Sequence, residues 1–163
     1  MNSSITLRKT VETDRNQLFK WRNLEIIIGL SSSQRAVTWH EHCRWFDESL
    51  VSATRRIYII LIDKTPGGAI RFDKSDNGEC VISVYLLPPW VGRGLGVIAI
   101  KMGCEQIFQS WTIQRIIACV RNENMAGIRG FLKSGFKQID PPSTCPSGHF
   151  CFAKTRDIIT NTI

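Results

Sequence analysis

Pro88-Pro89-Trp90-Val91-Gly92-Arg93-Gly94-Leu95-Gly96 is the stretch on which the reading of this 163-residue chain turns. The segment Glu79–Leu87 before it is strand-like, and the pattern from Val97 to about Trp111 after it is helical. A strand, a glycine loop carrying an arginine, and the first turn of a helix together suit a phosphate. The helix start presents free N–H groups, its dipole favours an anion, and glycine lets the backbone approach closely. The two familiar phosphate signatures do not fit. Val97 stands where the dinucleotide fingerprint needs its third glycine, and no Gly-Lys-Ser/Thr ending makes this a P-loop. Read alone, the loop is either a phosphate cradle or an ordinary strand-to-helix turn.

Three strands lead into it as a meander. Arg56–Ile62 is almost wholly apolar, as a strand covered on both faces must be. Asp63–Gly68 reads as a turn, Gly68–Asp73 returns, and Asp76-Asn77-Gly78 marks a second hairpin into Glu79. Further towards the N-terminus, Ile5–Lys9 alternates as a first strand, and Thr13 or Asp14 is placed to cap a helix containing Trp21-Arg22. Ile26-Ile27-Ile28 suits a short turn or helix. Thr38 with Glu41 forms a capping box for a helix to about Leu50, with Trp39, His42, Trp45, Phe46 and Leu50 near one face.

Beyond the loop, the helix offers Ile98, Met102, Cys104, Ile107, Phe108 and Trp111 to the core. Gln114–Val120 is a further strand, and a helix from about Asn124 ends at Gly135, a left-handed cap. Phe136–Ile139 and Phe150–Thr155 close as an antiparallel pair around a Pro/Ser loop.

Length and a 43% hydrophobic content indicate one domain over residues 1–163 with a real core. The net charge of +7 points to an anionic partner, and the lack of a dense Lys/Arg block disfavours nucleic acid. No stretch is apolar enough to cross a membrane, and no signal peptide opens the chain. Reduced cysteines and a cytoplasmic location are the expectation. Cys43, Cys80, Cys104 and Cys119 lie within apolar patterns as small core residues. No Cys-x-x-Cys and no His pair at ligand spacing indicates a metal. His40 and His149 are read as surface residues, and a homodimer is compatible with the pattern.

The element order, with a glycine loop after the fourth strand, resembles the GCN5-related N-acetyltransferases (the GNAT superfamily). Positions 91–96 match the family's Arg/Gln-x-x-Gly-x-Gly/Ala at Gly94 and Gly96, with Val91 replacing the leading residue. Asn124-x-x-Gly127-x-x-x-Phe131-x-Lys133-x-Gly135-Phe136 is similar to the family's Asn-x-x-Ala-x-x-x-Tyr-x-Lys-x-Gly-Phe. Trp21-Arg22-Asn23 with Trp39, His42 and Trp45 resembles one branch. That branch holds the amino-sugar N-acetyltransferase of pseudaminic acid biosynthesis and the ribosomal-protein alanine acetyltransferases.

The resemblance implies an α/β fold: a mixed, mostly antiparallel sheet of six to seven strands flanked by about four helices. It also implies acetyl-coenzyme A as co-substrate. The amides of Gly92, Arg93, Gly94, Leu95 and Gly96 would hold the pyrophosphate, and the edge at Leu86-Leu87 would pair with the pantetheine arm. Asn124 would bond that arm and Phe131 would lie near the thiol. The family's usual acid, a tyrosine, is replaced by Phe131, and its strand carboxylate by Cys119. Strand parity offers substitutes: Ser83 and Tyr85 share a face opposite the apolar set, with Tyr85 as acid and Ser83 relaying protons through water. The alternative for Tyr85 is amphipathic packing. His42 is placed as a base, and Arg22, Trp39 and Trp45 as acceptor contacts, or else as core and surface residues. The favoured reaction is acetyl transfer to a nucleotide-linked amino sugar. A protein amino terminus, or a silent coenzyme A-binding module, are the alternatives.

Overall fold

The apolar run Arg55–Ile62 is the second strand of a seven-stranded sheet in the computed structural model, which describes residues 3–157. The order is β1 (Ile5–Lys9), α1 (Arg15–Arg22), α2 (Glu25–Leu30), α3 (Trp39–Val51), β2 (Arg55–Ile62), β3 (Thr65–Lys74) and β4 (Glu79–Leu86). There follow α4 (Leu95–Ser110), β5 (Arg115–Arg121), α5 (Met125–Lys133), β6 (Lys137–Ile139) and β7 (His149–Thr155). In space the strands lie β1-β2-β3-β4-β5-β7-β6, and every pairing is antiparallel except β4 with β5. The α/β architecture is the one expected. A fifth helix appears because Ile26-Ile27-Ile28 wind into α2.

Two apolar layers explain the composition of β2. Ile57 and Ile59 pack with Leu18, Trp21 and Phe46 from α1 and α3. Tyr58, Ile60 and Ile62 pack with Phe72, Ile82 and the inner side of α4. With water excluded from both faces, a polar side chain in the middle of this strand would have no solvent partner.

Local signals set the helix starts. Thr38 Oγ1 accepts from the Glu41 amide at 3.2 Å, while Glu41 Oε2 accepts from the Thr38 amide at 2.8 Å, the expected capping box. At α1 neither Thr13 nor Asp14 caps with its side chain. Asp14 instead accepts from both terminal nitrogens of Arg8 at 2.9 Å and from the Val11 amide, tying β1 to α1. Burial alone would raise that carboxyl, but these bonds outweigh it and hold it below the ordinary value.

Four sequence expectations need correction. Asp63 and Lys64 reverse the chain by themselves at φ 49° and 69°, so Thr65, Pro66 and Gly67 belong to β3 rather than to a six-residue turn. Mirror-image turns of this kind match the twist of paired strands. Pro66 is accommodated where the β2–β3 register shifts between Ile60 and Leu61. Ile98 is 44% exposed, because α4 turns Leu95, Ala99, Ile100, Gly103, Cys104 and Ile107 inward instead. Trp39 and Leu50 fall outside the buried stripe of α3, which is His42, Phe46 and Ser49. Cys43 and Cys119 are only half-buried, whereas Cys80, Cys104 and Cys151 are buried.

Gly68 sits where β3 crosses Leu86, and a Cβ there would lie 2.3 Å from the Tyr85 carbonyl oxygen. Backbone cannot yield as a side-chain tip can. Gly68→Ala is therefore expected to destabilise the protein by about 1–3 kcal/mol, read as a lower urea midpoint; an unchanged midpoint would contradict this packing.

Candidate active site

β4 and β5 are hydrogen-bonded to each other only over Glu79–Val81 and Arg115–Ile117. Beyond that, β4 stays on β3 as far as Leu86, and β5 stays on β7 as far as Arg121. The facing edges therefore part after Val81, leaving those backbone donors and acceptors of Ile82–Leu86 that point away from β3 directed into a slot. An extended polar ligand can satisfy them as an added strand would.

The glycine loop closes the head of this slot. A single helical turn over Pro88–Trp90 leads to Gly92 and Gly94 at φ 80° and 76°, and α4 begins with Gly94 as a left-handed N-cap without a side-chain cap. A Cβ at either glycine would meet nothing within 4 Å, so the space above the loop is open. These positive φ values strain any other residue. The Leu95 side chain is buried in the core, so only its backbone serves the loop. Arg93 lies over the Trp90 ring at 5.1 Å and is exposed at the helix start. Val91, in the non-matching motif position, is likewise exposed. This is a fitting seat for a pyrophosphate: free amides, a positive helix end, a cation and no side chain in the way.

On the opposite face of the sheet, a cavity of about 300 Å³ opens between α1, α3 and β2–β4. Its lining includes Arg22, Arg35, His42, Trp45, Arg71, Ser83 and Tyr85. Sequence parity placed Ser83 and Tyr85 on this face, and register explains their neighbours: Arg71 pairs with Ser83, and Ala69 with Tyr85. Arg71 Nη2 reaches Ser83 Oγ at 3.4 Å, and its Nε lies 2.8 Å from Asp73 Oδ2 but off the hydrogen-bond direction. The guanidinium groups of Arg55 and Arg71 stand 5.6 and 5.8 Å from the Trp45 ring.

The segment after α2 forms the cavity wall. Asn23 clamps it, donating to the Val37 carbonyl at 2.9 Å and accepting from the Val37 amide at 2.8 Å. Arg22 Nη2 donates to Ser33 Oγ at 3.1 Å, while its Nη1 is buried with no hydrogen-bond partner among the described residues. Glu41 accepts from Arg35 at 3.0 and 3.3 Å, and that pairing with the Thr38 amide bond pulls its carboxyl down to about 2. It is spoken for, and the lining is net positive.

His42 is buried, with Nε2 2.8 Å from the Arg15 carbonyl, so that nitrogen carries the proton and donates. Burial lowers its pKa. Trp39, Trp45, Phe19 and Phe46 pack around the ring at 5.4 to 6.0 Å between centroids. Tyr85 is half-buried, and burial raises its pKa against the pull of Arg22 and Arg71, so the phenol is protonated at neutral pH.

The structure thus brings Arg22, His42, Trp45, Ser83 and Tyr85 together, and leaves Trp39 outside the lining, exposed. Asn124 caps α5, its Oδ1 accepting from the Gly127 amide at 2.9 Å. Phe131 is a core residue, edge-to-face with Phe136 at 5.0 Å. His149, read as a surface residue, is buried between the Ser147 carbonyl and Ser32 Oγ. Sequence reasoning missed Arg35 and Arg71, and gave Asn23 no role beyond the Trp21-Arg22-Asn23 motif. For Arg71 the signal was present: a lone arginine between Ile70 and Phe72 in a central strand must face something polar.

The sequence profile of the acetyltransferase (GNAT) domain matches residues 4–137, and the chain belongs to that family. Among curated protein sequences none matches it. Solved structures with the same fold include aminoglycoside acetyltransferase AAC(6')-Ib in complex with coenzyme A. That protein is 23% identical, with a TM-score of 0.80 over 94% of this chain and 95% of the other. The Campylobacter jejuni N-acetyltransferase PseH in complex with acetyl coenzyme A is 17% identical, with a TM-score of 0.70 over 94% and 99%. RimL, a ribosomal L7/L12 alpha-N-protein acetyltransferase, is 15% identical, with a TM-score of 0.79 over 96% of each chain. Among the described residues no helix is long and apolar enough to cross a membrane.

The buried imidazole makes a testable contribution to stability. Its folded pKa lies below the ordinary 6.5, so between the two values the unfolded chain binds more protons and acid favours unfolding. The stability of the wild-type protein relative to His42→Gln should therefore fall as pH is lowered from about 7.5 to about 5.5. Urea unfolding at both pH values measures it; a constant difference would mean that His42 does not titrate abnormally.

Proposed function

We propose that this N-acetyltransferase uses acetyl-coenzyme A to acetylate a primary amine on a molecule that also carries an anionic group, with a nucleotide-linked amino sugar as the favoured acceptor and the cytoplasm as its location. One observation carries the choice: among the described residues Arg22 Nη1 is buried and without a partner beside Arg35 and Arg71, and the one carboxylate they supply to the cavity lining, Glu41, is already paired. A buried guanidinium nitrogen without an acceptor is costly, and a phosphate or carboxylate of the acceptor removes that cost. A polycationic acceptor such as an aminoglycoside would meet like charge here.

When bound, acetyl-coenzyme A supplies an activated acetyl group as a thioester. The residues then divide the task. The amides of residues 92–96 and Arg93 hold the pyrophosphate, and the free edge of β4 aligns the arm. Asn124, through the amide nitrogen that capping leaves free, bonds the same arm, and Phe131 bounds the thiol end from the core. An edge N–H of β4 polarises the carbonyl oxygen. Ser83, exposed at the cavity floor, relays the amine proton through water to solvent, and Tyr85 gives a proton to the leaving thiolate and regains one from that solvent. Trp45 stacks on the acceptor. His42 shapes the wall, since its Nε2 is already committed to Arg15. Trp39 supports that wall from outside.

Free-thiol release on a panel of nucleotide-linked amino sugars, neutral amino sugars, peptides and aminoglycosides tests the reaction and the acceptor together. Turnover restricted to anionic acceptors is expected. Turnover on aminoglycosides alone would overturn the acceptor assignment, and none at all would favour a silent coenzyme A-binding module.

Two variants separate the halves of the site. Gly94→Glu places a carboxylate in the phosphate seat and should abolish acetyl-coenzyme A binding in calorimetry without unfolding the protein. Tyr85→Phe should lower kcat by about 10²-fold with little change in the KM for acetyl-coenzyme A; a wild-type kcat would remove Tyr85 from proton transfer.

A further inference from the structure

We propose that Cys119, Cys145 and Cys151 form a binding site for a thiophilic divalent cation of the zinc and cadmium class. The β5–β7 register sets Cys119 opposite Cys151, and their sulfurs lie 3.4 Å apart. The loop between β6 and β7 adds Cys145, so that all three sulfurs fall within 4.8 Å of one another. Thiolates at about 2.3 Å from a shared tetrahedral ion lie about 3.8 Å from each other, which this triangle meets with small rotations. Among the described residues it is the single group of three or more metal-ligating side chains.

The loop that delivers Cys145 is held at both ends of its final turn. The Cys145 amide donates to the Pro142 carbonyl at 2.8 Å, and buried His149 bonds the Ser147 carbonyl and Ser32 Oγ. Cys151 is buried while Cys119 and Cys145 are half-buried, so an ion has a way in from one side. This separates the trio from Cys80 and Cys104, which are packed in the main core. Ions of this class bind cysteine as thiolate, so ion uptake displaces protons and strengthens as pH rises. Three sulfurs leave a fourth coordination position for water or another ligand. Cys119 lies two residues beyond the last β4–β5 pair and alternates with Ala118 and Val120 of the core layer, so it shares the sheet face of Ser83 and Tyr85.

The test titrates the fully reduced full-length protein with cadmium chloride under anaerobic conditions, reading thiolate-to-cadmium charge transfer in the near ultraviolet. One ion per chain is expected, with proton release. Cys145→Ser should weaken uptake by at least about tenfold, while Cys43→Ser, on α3 away from the trio, should leave it unchanged. Should Cys145→Ser fail to fold, cadmium protection of wild-type Cys145 from alkylation, mapped by peptide mass, gives the same answer. Absence of uptake, equal uptake by Cys145→Ser, or full alkylation of Cys145 at saturating cadmium would each overturn the site.

Discussion

The parting of β4 from β5 is the constraint on which the rest of this structure depends. A sheet interior normally pairs every backbone N–H and C=O, and leaving several unpaired beside a core is tolerated only where water or a ligand can reach them. Here the parallel pairing lasts from Glu79 to Val81 and then stops, while β3 and β7 hold the outer sides of the two strands. Rigid outer pairing keeps the slot open rather than letting it collapse. The close crossing of Gly68 over Leu86 and the left-handed glycines of the loop set its upper end.

The two faces of the sheet then take different tasks. One carries the larger apolar layer against α4 and α5, which anchors the start of α4 and so the glycine loop. The other carries a smaller layer under α1 and α3 and leaves room for the arginine-lined cavity. The cavity lining is net positive: Glu41 is neutralised by Arg35, Arg71 is partly held by Asp73, and one Arg22 nitrogen has no partner among the described residues. The same cavity wall depends on the Asn23–Val37 clamp, a link between residues 14 positions apart.

How much of this was legible before folding depends on the range of the forces involved. The β2 strand, the Thr38–Glu41 capping box, the meander and the loop-to-helix junction are local patterns, and each appears where periodicity and turn chemistry put it. The Asp63-Lys64 turn was misread because neither residue is a glycine, although both adopt positive φ. On α4, Cys104, Ile107 and Trp111 are buried as expected, and Ile98 is the position that turns outward. His149 is buried where a surface position was expected, since a partner far away in sequence, Ser32, decides whether its side chain meets water.

The sequence by itself determined the family, the glycine loop at the start of α4 and the face on which Ser83 and Tyr85 stand, because motif spacing and strand alternation are short-range properties. Only the tertiary structure decided what lines the cavity on the other face of the sheet. The convergence of Arg22, Arg35 and Arg71 on one cavity, and of three cysteines beside the β5–β7 pair, joins residues from α1, β3, β5, β7 and two loops. Electrostatic and coordination sites depend on distances of a few ångströms between groups remote along the chain, and the fold alone sets those distances.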